Sequence, residues 1–101
     1  GTSFGICQWH LGRGAAMKKM AGSNWASNLT GQLNYLYYEL TTSYTSVYNA
    51  LKSVPNNESG ARKAADVFVR KFEVPANVNY QSSIRQDTAS KYWKQLAVQM
   101  I

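Results

Sequence analysis

Four leucines recur at helical intervals between positions 29 and 40 of this 101-residue chain. They are Leu29, Leu33, Leu36 and Leu40. Because an α-helix completes a turn every ~3.6 residues, this spacing places all four on one face, which we expect to be buried. Gln32, Tyr35 and Glu39 fall on the adjacent face. Ser27 or Asn28 precedes this segment and carries a side chain suited to cap the helix.

Helical patterns cover most of the remaining chain. We expect helices over 11–21, from Ser43 to Pro55, from Ser59, and over 82–98, with an extended connection at Pro75. Side chains expected to be largely buried are Leu33, Leu36, Leu40, Phe68, Phe72 and Tyr92. The pattern predicts a mainly α domain spanning 1–101, with an irregular or β-hairpin N-terminal segment.

The net charge of +6 favours an anionic partner, such as nucleic acid, an acidic membrane or the bacterial wall. The basic residues are scattered, which argues against a dense phosphate-binding stripe. No run approaches the ~18 apolar residues of a membrane span. Cys7 is the only cysteine, so an internal disulfide is impossible, and its surroundings suit no metal site.

The N-terminal segment is rich in glycine and places three distinctive side chains together. Gln8, Trp9 and His10 lie between Gly5 and Gly12, where the backbone is able to approach a ligand closely. An amide that bonds hydroxyls and an indole that stacks on a sugar face are typical of a carbohydrate cleft. The simpler alternative is a turn anchored by a buried Ile6, with His10 in solvent.

The same segment resembles a known family of proteins. Gly5-Ile6-Cys7-Gln8 is similar to the Gly-(Leu/Ile)-x-Gln segment of goose-type lysozymes, lytic transglycosylases and chicken-type lysozymes, and most closely to the phage tail lysozymes. Residues 32–40 and 64–75 resemble the helices that follow in that family, and Arg85, Ala89 and Tyr92 fit its closing helix. The resemblance therefore extends over nearly the whole chain.

This resemblance implies a lysozyme-like fold and hydrolysis of the glycan strands of peptidoglycan. The expected substrate-binding residues are Ser3, Gln8, Trp9 and His10, with Trp9 as the stacking platform. No cofactor, metal or nucleic-acid partner is expected. The family also implies an extracellular or virion-associated location, and a larger parent protein or a complementary N-terminal segment.

The sequence does not contain a catalytic acid at the position that the family resemblance implies. In lysozyme-like folds this acid is a Glu that ends a helix before the Gly-x-x-Gln segment, whereas here no acidic residue precedes Glu39. We therefore expect the general acid upstream of this chain. Ser3 stands where chicken-type lysozymes carry a second acid, and His10 stands where goose-type enzymes carry one. The absence of an acid at both positions favours a single-Glu mechanism in which Thr2, Ser3 or His10 holds the attacking water.

Two alternatives accompany this interpretation. Glu39 itself is either a partly buried acid or, as we favour, a structural residue bonded to a tyrosine or a backbone amide. The chain as a whole is either a peptidoglycan hydrolase or a basic helical module that binds cell wall or nucleic acid without catalysis.

Overall fold

The computed structural model describes residues 1–99 and confirms the mainly helical expectation. Strands β1 (Ser3–Phe4) and β2 (Trp9–His10) form the expected N-terminal hairpin. The helices are α1 (Gly12–Ala21), α2 (Leu29–Thr42), α3 (Thr45–Ser53), α4 (Glu58–Val67) and α5 (Val78–Gln99), with a 3₁₀ turn at Trp25–Ser27 and a π-helical segment at Phe68–Glu73. None of the described helices combines the length and the apolarity needed to cross a bilayer.

The chain divides into two compact units. Unit 1 comprises Gly1–Thr45, and unit 2 begins at Ser46. Unit 1 therefore holds the hairpin, α1 and α2, while unit 2 holds almost all of α3 together with α4, the π-helical segment and α5. That residues 1–101 form a single domain stays a prediction.

The hairpin of unit 1 is antiparallel, and its turn is fastened to α2. Ser3 pairs with His10, and Phe4 pairs with Trp9. Gly5 has a φ of 80°, and a Cβ at this position would lie 2.8 Å from Oε1 of Gln32 and 2.9 Å from the Trp9 ring. Both the backbone conformation and the close approach therefore require glycine at the turn.

The buried face of α2 differs from the leucine face that the periodicity predicted. Leu40 is buried as expected and Leu36 is half-buried, but Leu29 and Leu33 are exposed, so the prediction is wrong for these two. The buried positions of the helix are instead Gly31, Gln32, Tyr35, Glu39 and Leu40. Polar side chains are tolerated there because each has hydrogen-bond partners inside unit 1. The expected cap is confirmed, since Asn28 Oδ1 accepts the Gly31 N–H at 2.9 Å.

Unit 2 packs α4 and α5 around Val69 and Phe72, which are both fully buried. The ring of Phe68, which is half-buried, stacks on Phe72 with centroids 4.7 Å apart. Tyr92 is exposed, so the prediction of its burial is wrong. The positions of α5 that pack inward carry small hydroxyl groups, Ser82 and Ser90, which bond acidic residues of α4.

The boundaries in unit 2 also depart from the sequence pattern. Asn57, and not Ser59, caps α4, and its side chain accepts the Gly60 N–H at 2.7 Å. The expected extended residue before Pro75 is instead left-handed, because Val74 has φ 45° and ψ 60°. Its N–H bonds the Val69 carbonyl at 2.7 Å, closing the end of the π-helical segment. A β-branched residue is strained in this conformation by about 1–2 kcal/mol.

Candidate functional site

The Glu39 carboxylate is the centre of a buried polar cluster in unit 1. We call Trp9, Arg13, Tyr35 and Glu39 the Glu39 cluster. The Oε1 atom of Glu39 accepts the Trp9 indole N–H at 2.7 Å and the Arg13 Nη2–H at 2.8 Å. Its Oε2 accepts Arg13 Nε–H at 2.8 Å and the Tyr35 hydroxyl at 3.0 Å. One carboxylate therefore joins β2, α1 and α2.

The electrostatics of the cluster follow from burial and from this one negative charge. Burial, and next the hydrogen bond to Glu39, raise the pKa of Tyr35 to about 12. The hydrogen bond to Glu39 raises the pKa of Arg13, whose guanidinium also lies 4.6 Å from the centre of the Tyr44 ring. A two-pronged guanidinium bond to a carboxylate is a strong, geometrically specific contact. The structure thus confirms the expected hydrogen bond between Glu39 and a tyrosine.

Trp9 does not have the position of a stacking platform. Its side chain is buried, with a relative exposure of 1%, and its ring meets Tyr35 edge-on at 5.3 Å. The expectation that its indole stacks on a sugar is therefore wrong. The reason is the pleat of β2, which directs Trp9 toward the Glu39 carboxylate and its neighbour His10 toward solvent.

The other three predicted site residues are exposed on the hairpin. Ser3 and His10 face each other across the strands, with Ser3 Oγ 3.2 Å from His10 Nδ1. Gln8 lies in the turn with a φ of 51°, and its side-chain amide donates to the Gly5 carbonyl at 3.1 Å. The structure thus brings Ser3 and His10 together, while Gln8 is an exposed residue of the turn.

Two residues important to this geometry were missed in the sequence. Arg13 balances the only acidic residue of unit 1, and the need of a buried acid for a cation was the signal that could have found it. Gln32 accepts the Ile6 N–H at 2.8 Å and donates to the Trp25 carbonyl at 2.8 Å. The sequence pattern placed Gln32 on the same helix face as Tyr35 and Glu39, but it did not indicate the hydrogen bonds to Ile6 and Trp25.

Every carboxylate side chain of the described residues is paired with an arginine. The pairs are Glu39 with Arg13, Glu58 with Arg62, Asp66 with Arg70, Glu73 with Arg85, and Asp87 with Arg62. The Ser90 hydroxyl lowers the pKa of Glu58, while Ser82 and then Arg70 lower the pKa of Asp66. These two environments, of Glu58 and Asp66, favour the ionised form, whereas a general acid must carry a proton.

The comparisons with known proteins agree with the resemblance of the N-terminal segment. Neither the comparison with curated proteins nor that with solved structures gave a match. The sequence profile of the phage tail lysozymes matches residues 1–96, which is nearly the whole chain. The chain therefore belongs to the phage tail lysozyme family.

Proposed function

We propose that this chain is part of a peptidoglycan hydrolase that cleaves the glycan strands of the bacterial wall. The observation that carries the proposal is the exposed Ser3–His10 pair, at the two positions where related enzymes hold a second acid. The hairpin beneath this pair is fixed by the buried bond of Trp9 to Glu39 and by the partly buried bond of Ile6 to Gln32. Membership of the family supports the same chemistry, and also a virion-associated or otherwise extracellular location.

In the proposed mechanism, Ser3 and His10 hold and orient the attacking water. A hydroxyl oxygen and a neutral imidazole nitrogen are both able to accept a proton from water in a hydrogen bond. Such an arrangement replaces the second carboxylate of a two-acid glycosidase by a positioned water. The Gln8 carboxamide would bond sugar hydroxyls at the hairpin turn.

The general acid is proposed to come from outside residues 1–99. The five acids of the chain are all paired with arginine, and the only one in unit 1, Glu39, uses both of its oxygens in four hydrogen bonds. A carboxylate held in this way is poorly suited to protonate a leaving oxygen. A Glu on a segment preceding the hairpin would supply that proton.

Charge supports binding to an anionic wall. The four arginines are all paired with acids, so the excess positive charge resides on the seven lysines. Because these lysines are spread over the sequence, the charge favours diffuse attraction to a polyanion over a phosphate-tracking groove. We expect duplex DNA to compete poorly for wall binding at physiological salt.

Clearing of a cell-wall suspension tests the proposal. The chain alone is compared with a longer protein that also contains the preceding segment with its Glu. We expect clearing only by the longer protein, since loss of a general acid costs about 10²–10⁴-fold in rate. Clearing by the chain alone would refute an external acid and would make Glu39 the first residue to substitute.

The second candidate function is wall binding without catalysis. It is favoured by the same observation that all five carboxylates are ion-paired. Sedimentation of the protein with purified walls, read together with clearing, separates the two functions. Binding that persists while both the chain and the longer protein fail to clear the suspension would establish the binding module.

A further inference from the structure

A groove on unit 1 opens between α1 and α2, apart from the Ser3–His10 pair. It has a volume of about 400 Å³ and is lined by Ala16, Lys19, Met20, Tyr35 and Tyr38. This volume lies within the range of small-ligand sites, about 300–1,000 Å³. Met20 and Tyr38 are both about half exposed, so large apolar groups meet solvent at the groove.

The aromatic wall of this groove is held in place from within. Tyr38 has a relative exposure of 50%, and its ring lies 6.1 Å from that of Tyr35 at a tilt of 35°. Tyr35 is buried and is fixed by its hydroxyl bond to Glu39. Tyr38 therefore presents an aromatic surface whose backing is rigid, as stacking against a flat ligand requires.

Lys19 gives the groove a positive charge that no acidic residue of the described chain balances. Unit 1 contains Arg13, Lys18, Lys19 and Glu39, so its side-chain charge is 3 − 1 = +2 with His10 neutral. Glu39 is bound by Arg13, and the Lys18 ammonium lies over the rings of Phe4 and Trp25, at 3.4 and 4.8 Å. Lys19 is exposed at the groove and is thus the cation available to an anionic ligand.

We propose that this groove is a saccharide subsite for an N-acetylated sugar ring that bears a carboxylate substituent. Tyr38 stacks on the apolar face of the ring, Met20 contacts its acetyl or ring carbons, and Lys19 pairs with the carboxylate. This subsite takes the stacking role that buried Trp9 cannot perform. The choice of sugar rests on the proposed function, because the alternating sugars of a peptidoglycan strand include such an acid.

The test is an NMR titration of the chain with two sugars that differ in the acidic group. N-acetylmuramic acid carries a lactyl carboxylate, and N-acetylglucosamine lacks it. We expect both to shift the Met20 methyl and Tyr38 ring signals, with the acidic sugar bound about two- to fivefold more tightly at low salt. Loss of this preference in 0.5 M salt is expected, since the contact is exposed.

Matched variants identify the residues responsible. Tyr38→Ala should weaken both sugars about 3- to 10-fold, whereas Tyr37→Ala, an exposed neighbour outside the groove, should not. Lys19→Gln should abolish only the preference for the acidic sugar, and Lys71→Gln, an exposed lysine of unit 2, should preserve it. Circular dichroism at 222 nm verifies that each variant is folded.

Several outcomes would overturn the subsite. They are shifts confined to the hairpin, equal weakening by the Tyr37 and Tyr38 substitutions, or a preference that survives Lys19→Gln. A longer protein in which a polypeptide segment covers Met20 and Tyr38, so that sugars no longer shift them, would also overturn it. Because the titration measures binding alone, these outcomes are distinguishable from a failure of wall clearing.

Discussion

Replacing Glu39 by Gln tests whether the buried carboxylate organises unit 1. The glutamine amide keeps one acceptor oxygen, but an NH2 group, which donates, replaces the other carboxylate oxygen. Depending on the orientation of the amide, this NH2 group faces Arg13 and Trp9, or Arg13 and Tyr35. At least one hydrogen bond is lost, because the Tyr35 hydroxyl is able to accept from the amide whereas Arg13 and Trp9 only donate, and Arg13 is left without its counter-charge. The perturbation is therefore both electrostatic and geometric, with almost no change in side-chain volume.

The magnitude follows from the burial of the two partners. Removing one member of a fully buried ion pair costs about 3–5 kcal/mol. The Arg13 side chain is 29% exposed while that of Glu39 is 6% exposed, so water partly compensates the guanidinium. We expect a loss of about 2–3 kcal/mol, which for a chain of this size lowers Tm by about 8–24 °C.

Thermal unfolding followed by circular dichroism measures this loss. The matched control is Asp87→Asn, which removes an acid that is also 2.8 Å from an arginine, Arg62, but is 72% exposed. That exposed pair should contribute less than about 1 kcal/mol. Equal Tm changes for the two variants would refute the reasoning, as would strict additivity of Glu39→Gln with Arg13→Gln.

Three further predictions concern titration, backbone strain and catalysis. The pKa of Tyr35 is raised to about 12 in the folded state, so the stability that it contributes is complete below pH ~10 and is lost as pH rises toward 12. Tyr35→Phe should therefore remove this pH-dependent part of the free energy of unfolding, which urea unfolding at pH 9 and pH 11 measures. Val74→Gly should stabilise the fold by about 0.5–1 kcal/mol, because glycine relieves the strain of the left-handed backbone. The control Val67→Gly, within α4, should destabilise the fold by about 1 kcal/mol. Stabilisation by both substitutions, or by neither of them, would contradict this prediction. In the longer, wall-clearing protein, Ser3→Ala and His10→Ala should each lower kcat at least tenfold with an unchanged circular dichroism spectrum; full activity of both variants would remove this pair from the mechanism.

Features set by neighbouring residues were predictable from the sequence. The helices, the Asn28 cap and the N-terminal hairpin depend on spacing, capping chemistry and turn glycines, all of which act within a few residues. The motif around Gly5 and Gln8, together with the resemblance of residues 32–40 and 64–75 and of the closing helix, indicated the family, which the profile match over residues 1–96 confirms. Exposure of Ser3, Gln8 and His10 agrees with an accessible site, although their binding roles stay predictions.

The tertiary structure decided which faces of these elements are buried. Leucine periodicity alone favoured burial of Leu29 and Leu33, but the protein buries the Glu39 face of α2, because partners 26 and 30 residues away in sequence, Arg13 and Trp9, satisfy that carboxylate. The same long-range bonds turn the indole inward and leave Tyr38 at the groove. Desolvation of a charge is acceptable only where distant donors converge on it, and a linear pattern does not contain that convergence.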